Sequence, residues 1–215
     1  MQLISPRLLL RVIHPCLFVN GDFEGRFPSM GETYFLDNLA ALSGCNNFAN
    51  LAVGWNPAGL YFHLVVSGKS LDPSGDTDRI PQSDGLTLWI DTQPTRSIHR
   101  ATAFCHQFHF LPAGGGPDLK DAIFVQGQVK GAMADAPILS PKSVAFRSRR
   151  FRKGYEIEAF LSADALHGFD PVANPELGFF YRVMDRQLGE QLLLAGVENI
   201  SIDDPTVWET LKLVE

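Results

Sequence analysis

The chain has 215 residues, 45% of them hydrophobic and 20% charged, with a formal net charge of −6. That balance is the balance of a packed domain and excludes disordered, collagenous and coiled-coil chains. The negative field repels polyphosphates, which removes nucleic acid and anionic membrane as general partners and leaves small neutral ligands. Cys16, Cys45 and Cys105 are an odd number without paired spacing, so they read as reduced thiols and not as a disulfide framework or closed zinc site. Near the N-terminus Leu8-Leu9-Leu10 is broken by Arg11, His14 and Pro15. The run is too short for an export signal or a span, and a cytoplasmic location is the expectation.

Glycine (19) and proline (14) are spread along the chain and phenylalanine (16) is abundant, which predicts strands and turns. Leu51 to Val66 reads as a hairpin turning at Asn56-Pro57-Ala58-Gly59. Asp72 to Asp84 follows as a long loop. Leu86, Leu88 and Ile90 then alternate with Thr87, Trp89 and Asp91, the period of a strand with one face in a core. In Phe104 to Leu111 one face carries Phe104, His106, Phe108 and Phe110, and the other Cys105, Gln107, His109 and Leu111. Further strands are predicted over Ala122 to Lys130, Val144 to Phe151 and Tyr155 to Leu161, the last two joined at Lys153-Gly154. Ser162 is placed to cap a short helical turn ending at Leu166. Leu177, Phe179, Tyr181 and Val183 mark another strand, followed by Gln191 to Leu194 and Leu211 to Val214. The expected fold is all-β, a single antiparallel, jelly-roll-like β-sandwich over residues 1–215 with one or two short helical turns.

Three segments in one order carry a resemblance: Ser83-Asp84-Gly85-Leu86-Thr87-Leu88-Trp89-Ile90-Asp91, Gly154-Tyr155-Glu156-Ile157-Glu158-Ala159-Phe160-Leu161, and Leu177-Gly178-Phe179 through Val183-Met184-Asp185. With Asp204-Pro205-Thr206-Val207-Trp208 and Leu211-Lys212-Leu213 behind them, residues 50–215 resemble the family 9 carbohydrate-binding modules and their DOMON-like relatives. The resemblance implies a β-sandwich, a sugar ligand held between two aromatic walls, and structural calcium. At the positions of those walls this sequence has Ile80-Pro81-Gln82 and Leu192-Leu193-Leu194. Thr87 stands where sugar-binding members carry a carboxylate, and Phe180 and Met184 replace polar positions.

Strand parity turns Thr87, Trp89, Asp91, Gln107, His109, Glu156, Glu158 and Arg182 away from the core. Indole, amide, carboxylate and guanidinium groups suit a sugar, so Trp89, Gln107, His109, Glu158 and Arg182 are the candidate ligand-binding residues. The alternative makes Trp89 core and joins Glu158 to Arg182 as a cross-strand ion pair. Asp72, Asp76 and Asp78, with Gly75 among them, read as a solvated acidic loop or a calcium site. A transition-metal site among His99, Cys105, His106 and His109 is disfavoured because His106 and His109 lie on opposite faces. No nucleophile elbow or phosphate loop is present, and Glu156 and Glu158 share one strand face, so catalysis is not expected. The basic run Arg147 to Lys153 falls at a hairpin tip. The leading reading is a non-catalytic carbohydrate-binding domain. A structural or protein-interaction domain that lost its sugar site, including a homo-oligomer, is the alternative, and a glycan-active enzyme is third.

Overall fold

A computed structural model describes residues 12–20, 27–38, 47–140, 142–194 and 201–215. Within them the chain forms β1 (Ile13–Phe18), β2 (Ala49–Asn56), β3 (Gly59–Ser67), β4 (Gly85–Asp91), β5 (Cys105–Gly115), β6 (Asp121–Gly127), β7 (Val144–Phe151), β8 (Gly154–Ser162), β9 (Glu176–Asp185), β10 (Gly189–Leu192) and β11 (Glu209–Val214). The strand order is β6-β5-β4-β9-β11-β1-β2-β3-β8-β7, with β10 paired to β9 beyond the end of β11. The path curls so that its two halves face each other. Phe62 of β3 stacks on Phe179 of β9 at 6.3 Å between centroids. Phe146 of β7 meets Phe110 of β5 at 5.8 Å and Phe124 of β6 at 6.2 Å, which brings the two ends of the path together. The inward residues of alternating strands, Leu86, Leu88 and Ile90 among them, fill this interior. The expected all-β sandwich is present.

Local chemistry explains the connections. The β2–β3 hairpin turns at Pro57-Ala58, closed by Asn56 opposite Gly59. Gly59 has φ +147°, and a side chain there would meet the Leu161 carbonyl oxygen at 2.0 Å, so only glycine fits. The β7–β8 hairpin is a continuous ladder from Val144↔Leu161 to Phe151↔Gly154.

Three features differ from the sequence reading. β1 was not predicted; it lies parallel to both β11 and β2 and links the two halves of an otherwise antiparallel sheet. The described residues contain four 3₁₀ turns, at Glu32–Tyr34, Thr77–Gln82, Ala163–Ala165 and Pro205–Val207. Ser162 does precede the turn at Ala163–Ala165, but its hydroxyl makes no capping bond. Cys16 and Cys105 are buried free thiols, and burial raises both thiol pKa values, Cys105 to about 12. Cys45 lies outside the described residues.

The aspartates that open and close the resembling motifs meet at one end of the fold. Lys69, 3% exposed, places its Nζ 3.0 Å from Asp84 Oδ2 and 3.0 Å from Asp185 Oδ1, and these carboxylates are 1% and 0% exposed. Asp84 also accepts from the amides of Ser74 and Arg186, and Asp185 from those of Gln187 and Leu188. The chain after β3, the start of β4 and the turn after β9 are thereby fixed to one another.

Candidate functional site

β4 runs between β5 and β9, and the register sets side chains from three strands in rows on the face away from the interior. Thr87 lies between His109 and Arg182, and Trp89 between Gln107 and Phe180. Over these rows is a pocket of about 380 Å³, walled by Ile80 and Pro81 of the Thr77–Gln82 turn, by Glu190 of β10, and by Ser201, Ile202 and Asp203.

The polar groups are held in place. Thr87 Oγ1 and His109 Nδ1 are 2.9 Å apart. Trp89 Nε1 donates to Gln107 Oε1 at 3.1 Å while the Gln107 amide nitrogen donates to the Gln128 carbonyl at 2.8 Å, the one orientation of this amide that satisfies both ends. Arg182 donates through Nε to Glu190 and through Nη2 to the Pro81 carbonyl at 3.1 Å. Phe180 packs edge-on against Trp89 at 6.1 Å.

The charged groups at the pocket are Arg182, Glu190 and Asp203. Burial first, and the Arg182 guanidinium second, lower the His109 imidazole pKa to about 4, so it is neutral near pH 7. Arg182 is matched by Glu190. Burial pushes the Asp203 carboxyl up against the opposing pull of Lys130.

Four of the five candidate ligand-binding residues, Trp89, Gln107, His109 and Arg182, therefore share one pocket. Trp89 is only 5% exposed, so it is part of the pocket wall and not the open platform that parity suggested. Glu158 is a correction, because β8 belongs to the other half of the sheet path. It pairs with Arg147 at 2.5 Å, next to an Arg149–Glu156 pair at 2.6 Å, in a groove lined by Phe27, Met30 and His63. The Glu158–Arg182 pair of the alternative reading does not form, since each has another partner. Two members of the basic run, Arg147 and Arg149, form these cross-strand pairs, and Arg150 donates to the Lys120 carbonyl.

Asp72, Asp76 and Asp78 are exposed, and Asp76 Oδ1 accepts from the Asp78 amide at 2.9 Å as the cap of the 3₁₀ turn. Among the described residues no three His, Cys, Asp or Glu side chains gather as metal ligands. His106 and His109 point to opposite faces, as parity requires. Sequence reasoning missed Ile80, Pro81, Glu190 and Asp203 as pocket residues. Ile80 and Pro81 stood out only as substitutes for an aromatic wall, whereas Leu193 and Leu194, at the other wall, are core.

No protein-family model matches the chain, and no curated protein matches it. Solved structures do match. A family 9 carbohydrate-binding module from Caldicellulosiruptor kristjanssonii in complex with glucose superposes with TM-score 0.62 at 12% identity, over 94% of this chain and 96% of that one. The same kind of module in complex with cellotriose gives 0.61 at 12% identity, covering 94% and 93%. A candidate carbohydrate-binding protein from Bacteroides uniformis gives 0.52 at 14% identity, covering 77% and 78%. The chain thus has the fold of the family 9 carbohydrate-binding modules, across more of its length than residues 50–215.

Proposed function

We propose that this domain is a non-catalytic module that binds a neutral carbohydrate of one or two sugar residues in the pocket over β4, β5 and β9. The observation that carries this reading is the register that gathers Trp89, Gln107, Thr87, His109 and Arg182 in one pocket of about 380 Å³. That volume lies at the small end of the range for ligand pockets. Ile80, Pro81 and the indole offer apolar surface to the C–H faces of a sugar ring, while imidazole, guanidinium and carboxylate groups suit its hydroxyls. Compensated charge favours a neutral ligand over an anionic one. The likeness to modules crystallised with glucose and cellotriose supports the same ligand class.

The non-catalytic part rests on the carboxylates. Glu156, Glu158 and Glu190 are each engaged by an arginine, so of the two acids that line this pocket, Glu190 and Asp203, the first is held in an ion pair with Arg182, whereas glycoside hydrolysis uses two carboxyl groups acting together on one bond. A thermal-shift screen against neutral mono- and oligosaccharides tests the proposal. A ligand at a hundred times its Kd stabilises by about 2.7 kcal/mol, roughly 5–11 °C for a chain of this length. Absence of any shift with soluble sugars refutes the reading and favours a protein-interaction role.

A further inference from the structure

We infer that Gly127, the last residue of β6, is a positioning residue of the carbohydrate pocket: its missing side chain is what allows Gln107 and His109 to lie where they hold Trp89 and Thr87. The inference rests on the pocket being the binding site. Gly127 stands opposite Gln107 in the β5–β6 register. Its backbone is not among the positive-φ glycines, so the conformation is open to any residue. The constraint is steric. A Cβ at position 127 would lie 2.6 Å from His109 Nε2, 2.7 Å from a terminal amide atom of Gln107 and 3.1 Å from Gln107 Cδ.

All three atoms belong to side chains that line the pocket, and none to the backbone. Position 127 differs in this from Gly59, where an added carbon would strike the main chain of β8. An alanine at 127 is therefore compatible with the ladder and incompatible with the side-chain arrangement. His109 is held by Thr87, and Gln107 by Trp89 on one side and the Gln128 carbonyl on the other. Any retreat of either side chain strains these bonds, and the bond from the Trp89 indole is the one that fixes the aromatic wall.

The test compares wild type, Gly127→Ala, Gln107→Ala and the double variant by ¹H–¹⁵N spectra of the three indole N–H groups and by titration with glucose and cellotriose. The Trp55 and Trp208 indoles donate to the carbonyls of Val214 and Ile202, and serve as internal controls. Gly127→Ala should shift the Trp89 indole resonance, leave the other two in place and weaken sugar binding at least tenfold. In the Gln107→Ala background the same substitution should move the Trp89 resonance no further. A Trp89 resonance unchanged by Gly127→Ala, or sugar affinity kept within twofold, overturns the inference. If the resonance moves as stated but wild type binds neither sugar, the positioning role stands and the carbohydrate reading falls.

Discussion

Replacing Lys69 with methionine keeps the length of the side chain and removes its charge, leaving Asp84 and Asp185 buried side by side without their cation. Both carboxylates are almost fully enclosed, and the main-chain amides that bind them provide only partial charge. Removing one partner of a buried ion pair costs about 3–5 kcal/mol because the remaining charge stays desolvated. For a chain of this size each kcal/mol shifts Tm by about 2–4 °C, so Lys69→Met should lower it by roughly 6–20 °C. Differential scanning calorimetry with urea melts measures the loss. Neutralising the whole group in Lys69→Met/Asp84→Asn/Asp185→Asn should restore more than half of it, because the penalty is uncompensated charge and not lost packing. A single variant that loses less than about 1 kcal/mol, or a triple variant no more stable than the single one, refutes this account.

Acid should destabilise the domain through two histidines. Burial lowers both His106 and His109 to about 4 from the ordinary histidine value of 6.5. The unfolded chain therefore binds these protons first, and stability present above pH 6.5 is lost as pH falls towards 4, by up to about 3 kcal/mol per histidine. Melting curves across that window should flatten in His106→Gln if it folds, and an unchanged slope would contradict the assignment. Arg147→Ala and Arg149→Ala, on the other half of the sheet path, should leave sugar titrations unchanged, whereas any loss there would move the site to the Glu158 groove. Asp76→Ala removes the cap of the 3₁₀ turn and should cost about 0.5–2 kcal/mol, equally in calcium and in EDTA. A loss confined to calcium-containing buffer would instead identify the Asp72, Asp76 and Asp78 loop as an ion site.

Much of the sheet was legible because alternation is a local property. Leu86, Leu88 and Ile90 announced β4, and the phenylalanine face of Phe104 to Phe110 announced β5. β1 escaped because Ile13 and Pro15 point outward while His14 and Cys16 are the buried pair, so its inward face is not a run of aliphatics. Its partners are also distant in sequence, and parallel pairing leaves no turn to read. Parity assigns the inward faces of β4, β5 and β9, but Trp89, Cys105 and Phe180, which it turns outward, are buried and join the core cluster, and it says nothing about which strands lie side by side. Parity alone therefore groups Glu158 with Trp89, though β8 and β4 sit in different halves of the path. Parity is equally silent on what covers an outward residue. The Thr77–Gln82 turn and residues 201–203 close over Trp89, and nothing in the alternation of β4 reports them. The Lys69 triad was half visible: Asp84 and Asp185 stood out, but their cation comes from a loop whose sequence carries no motif.

The central claim is that a neutral sugar occupies the pocket built on β4, β5 and β9. Backbone and indole ¹H–¹⁵N resonances followed during titration with glucose and cellotriose test it most directly. The account predicts saturable shifts at Thr87, Trp89, Gln107, His109 and Arg182, with the amides of Arg147, Glu156 and Glu158 unmoved. Shifts confined to the Glu158 groove, or none at saturating sugar, would contradict it.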